Sequence, residues 1–324
     1  MSTPCSELPG YSEGYVILSE QQIVRISGAD TNKFVQGQFS QHVDEITQQQ
    51  SLRAAACTPK GRTYCLTRLV RDQEDLLLDL DSQEAQAVLT QLRKYLMLFR
   101  GTSMEVLEEA RIIGLIGENA ARSVAGEEAS IPSFPGQMIQ LGGDYLISLE
   151  PTAEGTARYQ WWQLSRDTSP PEQLESLCET AWNAASIAAG VPWLTENTRG
   201  GFVPQMLNLQ HLQGIHFKKG CYTGQEVIAR MHFLGQLKKS LFRLQVDGAG
   251  APPTPGTRLL HGTAAVGEII NSTKLSDDRA AILAVIRHTA QDQPLTLEGS
   301  PNASITWLPL PYEVPERENI KTDT

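Results

Sequence analysis

Residues 217–230 read FKKGCYTGQEVIAR, the densest concentration of reactive chemistry in the 324-residue chain. Thr223 and Glu226 stand at the T-x-x-E spacing of a capping box, so a helix is expected from Gly224, with Gln225 in its first turn. Val227, Ile228 and Met231 would share its buried side, and Glu226 and Arg230 lie four apart, within reach of an ion pair. Cys221 falls two residues before the cap, near the positive end of the helix dipole. Lys218 and Lys219 stand beside it, and Gly220 and Gly224 leave the backbone open on either side. Such surroundings favour the thiolate, the form that is nucleophilic, oxidisable and metal-binding. The competing reading is a small buried apolar residue in a tight turn. A cysteine–histidine hydrolase would draw on His211, His216 or His232, yet partners in such sites are rarely neighbours in sequence.

Outward from this stretch, the chain alternates strand and helix. Residues 15–27, YVILSEQQIVRIS, suit two short strands around a polar turn, and Asp30 is placed to cap a helix through Phe34 and Val35. DLLLDL at 75–80 reads as a buried strand. The helix after it puts Ala85, Val88, Leu89, Leu92 and Leu96 on one face. Strands are expected at 104–107, 111–116, 137–141 and 145–149, and helices near 118–124 and 173–189. After Gly235 helical periodicity fades, and LFRLQV, RLLHGTAAVGEII and RAAILAVIR are β-type runs broken by APPTPG. An α+β core followed by a small all-β barrel or sandwich is the expected architecture.

Composition excludes several classes. A net charge of −10 opposes a general polyanion-binding surface, so direct tRNA binding would need a local basic patch, with Lys218, Lys219, Lys238 and Lys239 as candidates. No window reaches 18 uninterrupted apolar residues, and MSTPCSELPG lacks the pattern of a secretory leader, so a cytoplasmic protein without membrane association is expected. The five cysteines form no CxxC pair and are expected as reduced thiols, and no histidine spacing suggests a metal site.

FKKGCYTGQEVIAR, preceded by FVPQMLNLQHLQGI and followed by FLGQLKKSL, resembles the signature of the YgfZ family of folate-binding proteins, relatives of the glycine cleavage aminomethyltransferase. GADTNKFVQGQFSQHV, AAACTPKGRTY, WNAASIAAGVPWLTENTRGGFVPQ and the closing LPLPY extend the resemblance over nearly the whole chain. It implies a GcvT-like fold: two mixed α/β subdomains with ferredoxin-like elements, interleaved over residues 1–234, and a C-terminal β-barrel over 235–315. These would surround a central channel that takes tetrahydrofolate, leaving 316–324 as a frayed polar tail. It also implies a role in assembly or repair of iron–sulfur clusters, with iron–sulfur proteins or their assembly machinery as partners. The alternatives are a folate-dependent one-carbon transferase and a tRNA-modification accessory protein; a monomer is expected.

Two departures from the aminomethyltransferase pattern bear on chemistry. Gly61-Arg62-Thr63-Tyr64-Cys65 stands where those enzymes carry an acidic pair, and Cys221 stands where they carry an aspartate. The exchange of acid for thiol marks Cys221 as the catalytic candidate on the rim of the channel, and ordinary aminomethyl transfer is not expected. Better-studied YgfZ members also carry a tryptophan where this chain has Gln21 and Gln22, while a second family tryptophan is matched by Trp182.

Four residues become folate-binding candidates. Trp182 could stack on a pterin, although a tryptophan on an apolar helix is usually core. Arg199 could grip a glutamate tail bidentately, with a solvated arginine as the alternative. Gln205 and Asn208 offer amides to the pterin edge, with turn formation the simpler role. Lys219, Gly220, Thr223, Gly224, Gln225, Glu226 and Arg230 are expected to support the site around Cys221.

Overall fold

The computed structural model describes residues 12–126, 128–235 and 237–315; Cys5 and the 316–324 tail lie outside them. The chain begins with strands β1 (Gly14–Ile17) and β2 (Gln21–Gly28), helix α1 (Thr31–Gln38), and strands β3 (Leu52–Cys57), β4 (Thr63–Asp72) and β5 (Asp75–Asp81). Helix α2 (Ser82–Leu96), strands β6 (Thr102–Val106) and β7 (Arg111–Ile116), and helix α3 (Glu118–Ala125) follow. Next come β8 (Met138–Leu141), β9 (Asp144–Ser148), β10 (Arg158–Gln163) and helices α4 (Glu179–Ala188) and α5 (Gln225–Leu234). The last part is β throughout: β11 (Lys239–Asp247), β12 (Arg258–His261), β13 (Ala264–Ser276), β14 (Arg279–Arg287), β15 (Thr296–Leu297) and β16 (Ser304–Leu308).

These strands form three antiparallel sheets, in the orders β3-β4-β5-β2-β6, β1-β7-β10-β9-β8 and β15-β12-β13-β14-β11-β16. The third is curled into a half-barrel. The first two pack face to face, and period-two alternation decides which residue goes where. In β5, Leu76, Leu78 and Leu80 point toward α1 and α2, whereas Leu77 joins Ile23 and Val70 against Ile112, Tyr145 and Trp162 of the second sheet. Burial on both faces is why DLLLDL reads as a continuous apolar run.

Helix α4 is the pillar between the second sheet and the half-barrel. Ala181, Trp182, Ala184, Ala185, Ser186, Ile187 and Ala188 are all buried, and the small side chains let neighbours approach from several sides. Gly114 on β7 makes room for the Trp182 ring, since a Cβ there would sit 2.5 Å from it. The helix starts six residues later than the expected 173. Residues 174–178 run alongside β1 instead, with Tyr15 N donating to Glu175 O and Leu177 N to Tyr15 O.

Two other local expectations change. Asp30 occupies the N-cap of α1 without a side-chain cap bond; its Oδ1 accepts from Lys33 Nζ at 2.7 Å. Cys57, Cys65 and Cys221 are free thiols, but Cys178 is disulfide-bonded. An odd count argues against a complete framework, not against a single bridge.

Candidate functional site

The ladder between β4 and β5 stops at the Leu69–Leu78 pair. Beyond it the strands splay, and Asp79 Oδ1 takes over by accepting from Arg68 N at 2.5 Å and Thr67 Oγ1 at 3.1 Å. Into this gap opens a cavity of about 390 Å3, walled by β4, β5, the start of α2, β10, α4 and the loop 191–195. That volume falls within the range of cofactor pockets, about 300–1,000 Å3.

Its inner wall is built from buried charge. Arg53 meets Glu150 through two bonds, Nε to Oε1 at 3.2 Å and Nη2 to Oε2 at 2.8 Å, while Arg68 Nη2 reaches the same carboxylate at 3.4 Å. Burial alone would raise the Glu150 carboxyl, but the two guanidiniums hold it down at about 2. Burial likewise brings Arg68 down to about 10. Arg158 donates to Glu150 O and to Ser186 Oγ, and its guanidinium lies 4.5 Å from the centre of the Trp182 ring. Trp182 is thus a cavity wall braced by Arg158. Gln160, Asn183 and Cys65 also line the cavity, and burial pushes the Cys65 thiol well above its ordinary range.

The mouth is acidic. Glu20, Asp81, Glu84 and Glu179 line it, together with Gln21, which stands where the family tryptophan was expected. Burial raises Asp81, Glu84 and Glu179, and the mutual repulsion of these acids and Glu20 adds to it. Arg199 does not enter the cavity; it pairs with Glu84 at 2.8 Å and lines an open groove beside α2.

Gln205 and Asn208 are both buried and committed elsewhere. Gln205 Nε2 donates to Ile228 O at 2.7 Å, and Asn208 brackets Leu241 of β11, donating to its carbonyl and accepting from its N–H. Neither lines the cavity; both brace α5 and the half-barrel.

The stretch around Cys221 forms differently from its expected capping box. Gly224, in the left-handed conformation at φ +86°, is the N-cap of α5, and no side chain caps the helix. Thr223 turns instead toward α1, its N–H donating to Gly37 O at 3.0 Å. Gln225 instead folds back on the preceding turn, accepting from Tyr222 N at 3.3 Å and donating to Lys219 O at 3.4 Å. Among the ion pairs of the described residues, none joins Glu226 to Arg230; both side chains are exposed. Gly224 and Gly61 lock this segment onto the β3–β4 turn, since a Cβ on Gly224 would meet Thr58 O at 2.6 Å and one on Gly61 would meet Val227 at 2.8 Å. Gly220 has only a distant neighbour.

Lys219 does not stand beside the thiol. It is buried, and its Nζ donates to Gln36 O at 2.7 Å and Phe39 O at 2.6 Å at the C-terminal end of α1, over the Tyr222 ring. Burial lowers its ammonium to about 7, while the carbonyls favour the proton. Lys219→Met is expected to destabilise the protein by about 1–3 kcal/mol by leaving two carbonyls without their donor, readable as a lower urea midpoint. An unchanged midpoint would show that the clamp contributes nothing. With Lys219 inside, the proposed basic patch is reduced to Lys218, Lys238 and the half-buried Lys239.

Cys221 itself is exposed, set between the inward-anchored Lys219 and Tyr222. It does not line this cavity. His216 is engaged by Glu45 at 2.9 Å, and His232 stacks on Phe217 at 3.6 Å. Sequence reading missed Arg53, Arg68, Asp79, Glu150, Arg158, Gln160 and Asn183. A signal was present for some of them: Arg53 interrupts LRAAAC, and Glu150 ends the apolar run YLISLE.

No family model matches the chain. It is 30% identical over 319 residues to the tRNA-modifying protein YgfZ of Colwellia psychrerythraea, which covers 96% of this chain and 98% of that protein. Among solved structures, the glycine cleavage system aminomethyltransferase T of Bartonella henselae shares the fold with a TM-score of 0.72 at 14% identity, over 94% of this chain and 87% of that one. None of the helices among the described residues is long and apolar enough to cross a membrane.

Proposed function

The chain belongs to the YgfZ family, and on that premise we propose that it binds tetrahydrofolate in the cavity between its sheets and supports iron–sulfur proteins through Cys221. The observation that carries the folate reading is the cavity itself, with an aromatic wall and a few convergent polar groups. Gln160, Asn183 and Asp79 would meet the donors and acceptors of a pterin edge, with Trp182 and Arg158 as the rigid wall. The folate, when bound, would supply one-carbon chemistry; the chain's own part is to hold it and exclude water.

The thiol has a separate task. Cys221 faces solvent outside the cavity, so its reactant arrives with a partner and not with the folate. A thiolate is a soft donor suited to iron–sulfur clusters. The name of the Colwellia relative adds tRNA modification as a second possible setting; the acidic chain and the inward turn of Lys219 favour a protein partner over RNA.

Calorimetric titration with tetrahydrofolate is expected to give one site per chain. No binding at tens of micromolar ligand would overturn the folate reading.

A further inference from the structure

The buried ion pairs of the inner wall have a second side. Behind Arg53, Arg68 and Glu150 lies a smaller cavity of about 80 Å3, lined also by Ser51, Leu52, Pro135, Gly136 and the turn 211–213. Arg53 and Arg68 line both spaces, so their guanidiniums stand as the partition between them. Charge is unequal across it. Glu20, Asp79, Asp81, Glu84 and Glu179 line the front cavity, whereas among the described residues Glu150 is the one acid lining the rear, against Arg53, Arg68 and the imidazole of His211.

Glu150 is fully engaged, since Arg53 Nε and Nη2 and Arg68 Nη2 all donate to its two oxygens. Arg68 Nη1 donates to Ser51 Oγ at 3.2 Å, and Ser51 Oγ donates to Gly136 O at 2.9 Å, which fixes the rear wall. Arg53 Nη1 and Arg68 Nε have no acceptor among the described residues, although these side chains are only 13% and 3% exposed. With Arg158 and Asp79 included, three guanidiniums meet two carboxylates here, and an unbalanced buried charge is costly. We propose that the rear cavity binds a one-carbon oxyanion, formate or bicarbonate, against the edges of Arg53 and Arg68. A single negative charge closes the balance. Guanidinium edges match planar oxyanions through paired N–H donors. At about 30 Å3 per water the space holds roughly three waters, the size of an ion of three or four heavy atoms. Such binding stands or falls independently of folate in the front cavity.

The test is thermal melting of the whole protein in sodium formate, sodium bicarbonate and sodium chloride of equal ionic strength. So few heavy atoms limit affinity to roughly the millimolar range. About 100 mM of the occupant should therefore raise the melting temperature saturably, by about 3–5 °C over chloride. Whichever of formate and bicarbonate saturates at the lower concentration is the occupant. Removing Arg53 or Arg68 would also strip Glu150 of a partner, so the variants alter the exposed Gln213, which lines the rear cavity. Gln213→Glu should raise the half-saturating concentration about threefold, and Gln213→Lys should lower it by a similar factor. No saturable rise over chloride, or a rise that both variants leave unchanged, would overturn the site.

Discussion

Glu150→Ala is expected to lower the stability of the fold by roughly 3–5 kcal/mol, the usual cost of stripping one partner from a buried ion pair. Glu150 is the common counter-ion of Arg53 and Arg68, whose side chains are 13% and 3% exposed. Without it two guanidiniums face a low-dielectric interior with Asp79 as their remaining nearby acid. The same group sets an acid limit. Its carboxyl is held at about 2 against an ordinary value of 4.5, so its contribution is complete above pH 4.5 and disappears as pH falls through 2. The shift corresponds to on the order of 3 kcal/mol. Asp81, Glu84 and Glu179 act in the opposite sense: with raised values they favour the fold while protonated and lose that contribution as pH rises through their folded values. Urea midpoints between pH 7 and pH 2 are therefore expected to hold or rise slightly at first and then drop steeply below 4.5. In Glu150→Gln the steep part should shrink. A Glu150→Ala midpoint equal to wild type would show that the arginines find other partners.

Cys221→Ala is expected to leave folding and tetrahydrofolate affinity unchanged while abolishing support of iron–sulfur enzymes in cells. The separation follows from geometry. The thiol is exposed, lines no part of the cavity and takes no hydrogen bond from the described residues, so neither packing nor folate contact depends on it. Its position is fixed by its neighbours: Lys219 clamps the end of α1, Tyr222 is buried, and Gly224 fits against the β3–β4 turn. Cys57, by contrast, is buried, and burial pushes its thiol up to about 12 despite the neighbouring Thr63 hydroxyl, so it offers no substitute nucleophile. Full complementation by Cys221→Ala would remove the thiol from the mechanism. Loss of folate affinity in the same variant would place the sulfur nearer the ligand than the structure does.

The architecture was legible where local pattern and burial agree. DLLLDL and the Ala85-Val88-Leu89-Leu92 face carry their own periodicity, and the match of 217–230 to a family signature extended that reading over the chain. The capping box failed because Thr223 finds a partner on α1, nearly two hundred residues earlier, and Gly224 turns the chain through a left-handed step. The bracing by Gln205 and Asn208 was hidden for a similar reason: their amides satisfy backbone groups of α5 and β11 that no local spacing reveals. The cavity was illegible as a unit, because its walls come from segments near 20, 53, 65, 80, 158, 182 and 193, joined by the splay of β4 from β5. What sequence did offer was the oddity of Arg53 and Arg158 on otherwise apolar strands, both of which line the inner wall in this fold.

Folate in the cavity and a thiol standing apart from it respond to different substitutions. Asn183 lines the cavity from α4 and is half-buried, so Asn183→Trp fills the space without emptying the core. Calorimetric titration with tetrahydrofolate, comparing wild type, Asn183→Trp and Cys221→Ala, tests both halves together. Wild type and Cys221→Ala are expected to show one site with equal affinity, and Asn183→Trp at least about a tenfold loss, which is on the order of 1.4 kcal/mol. Undiminished binding by Asn183→Trp would contradict binding in the cavity.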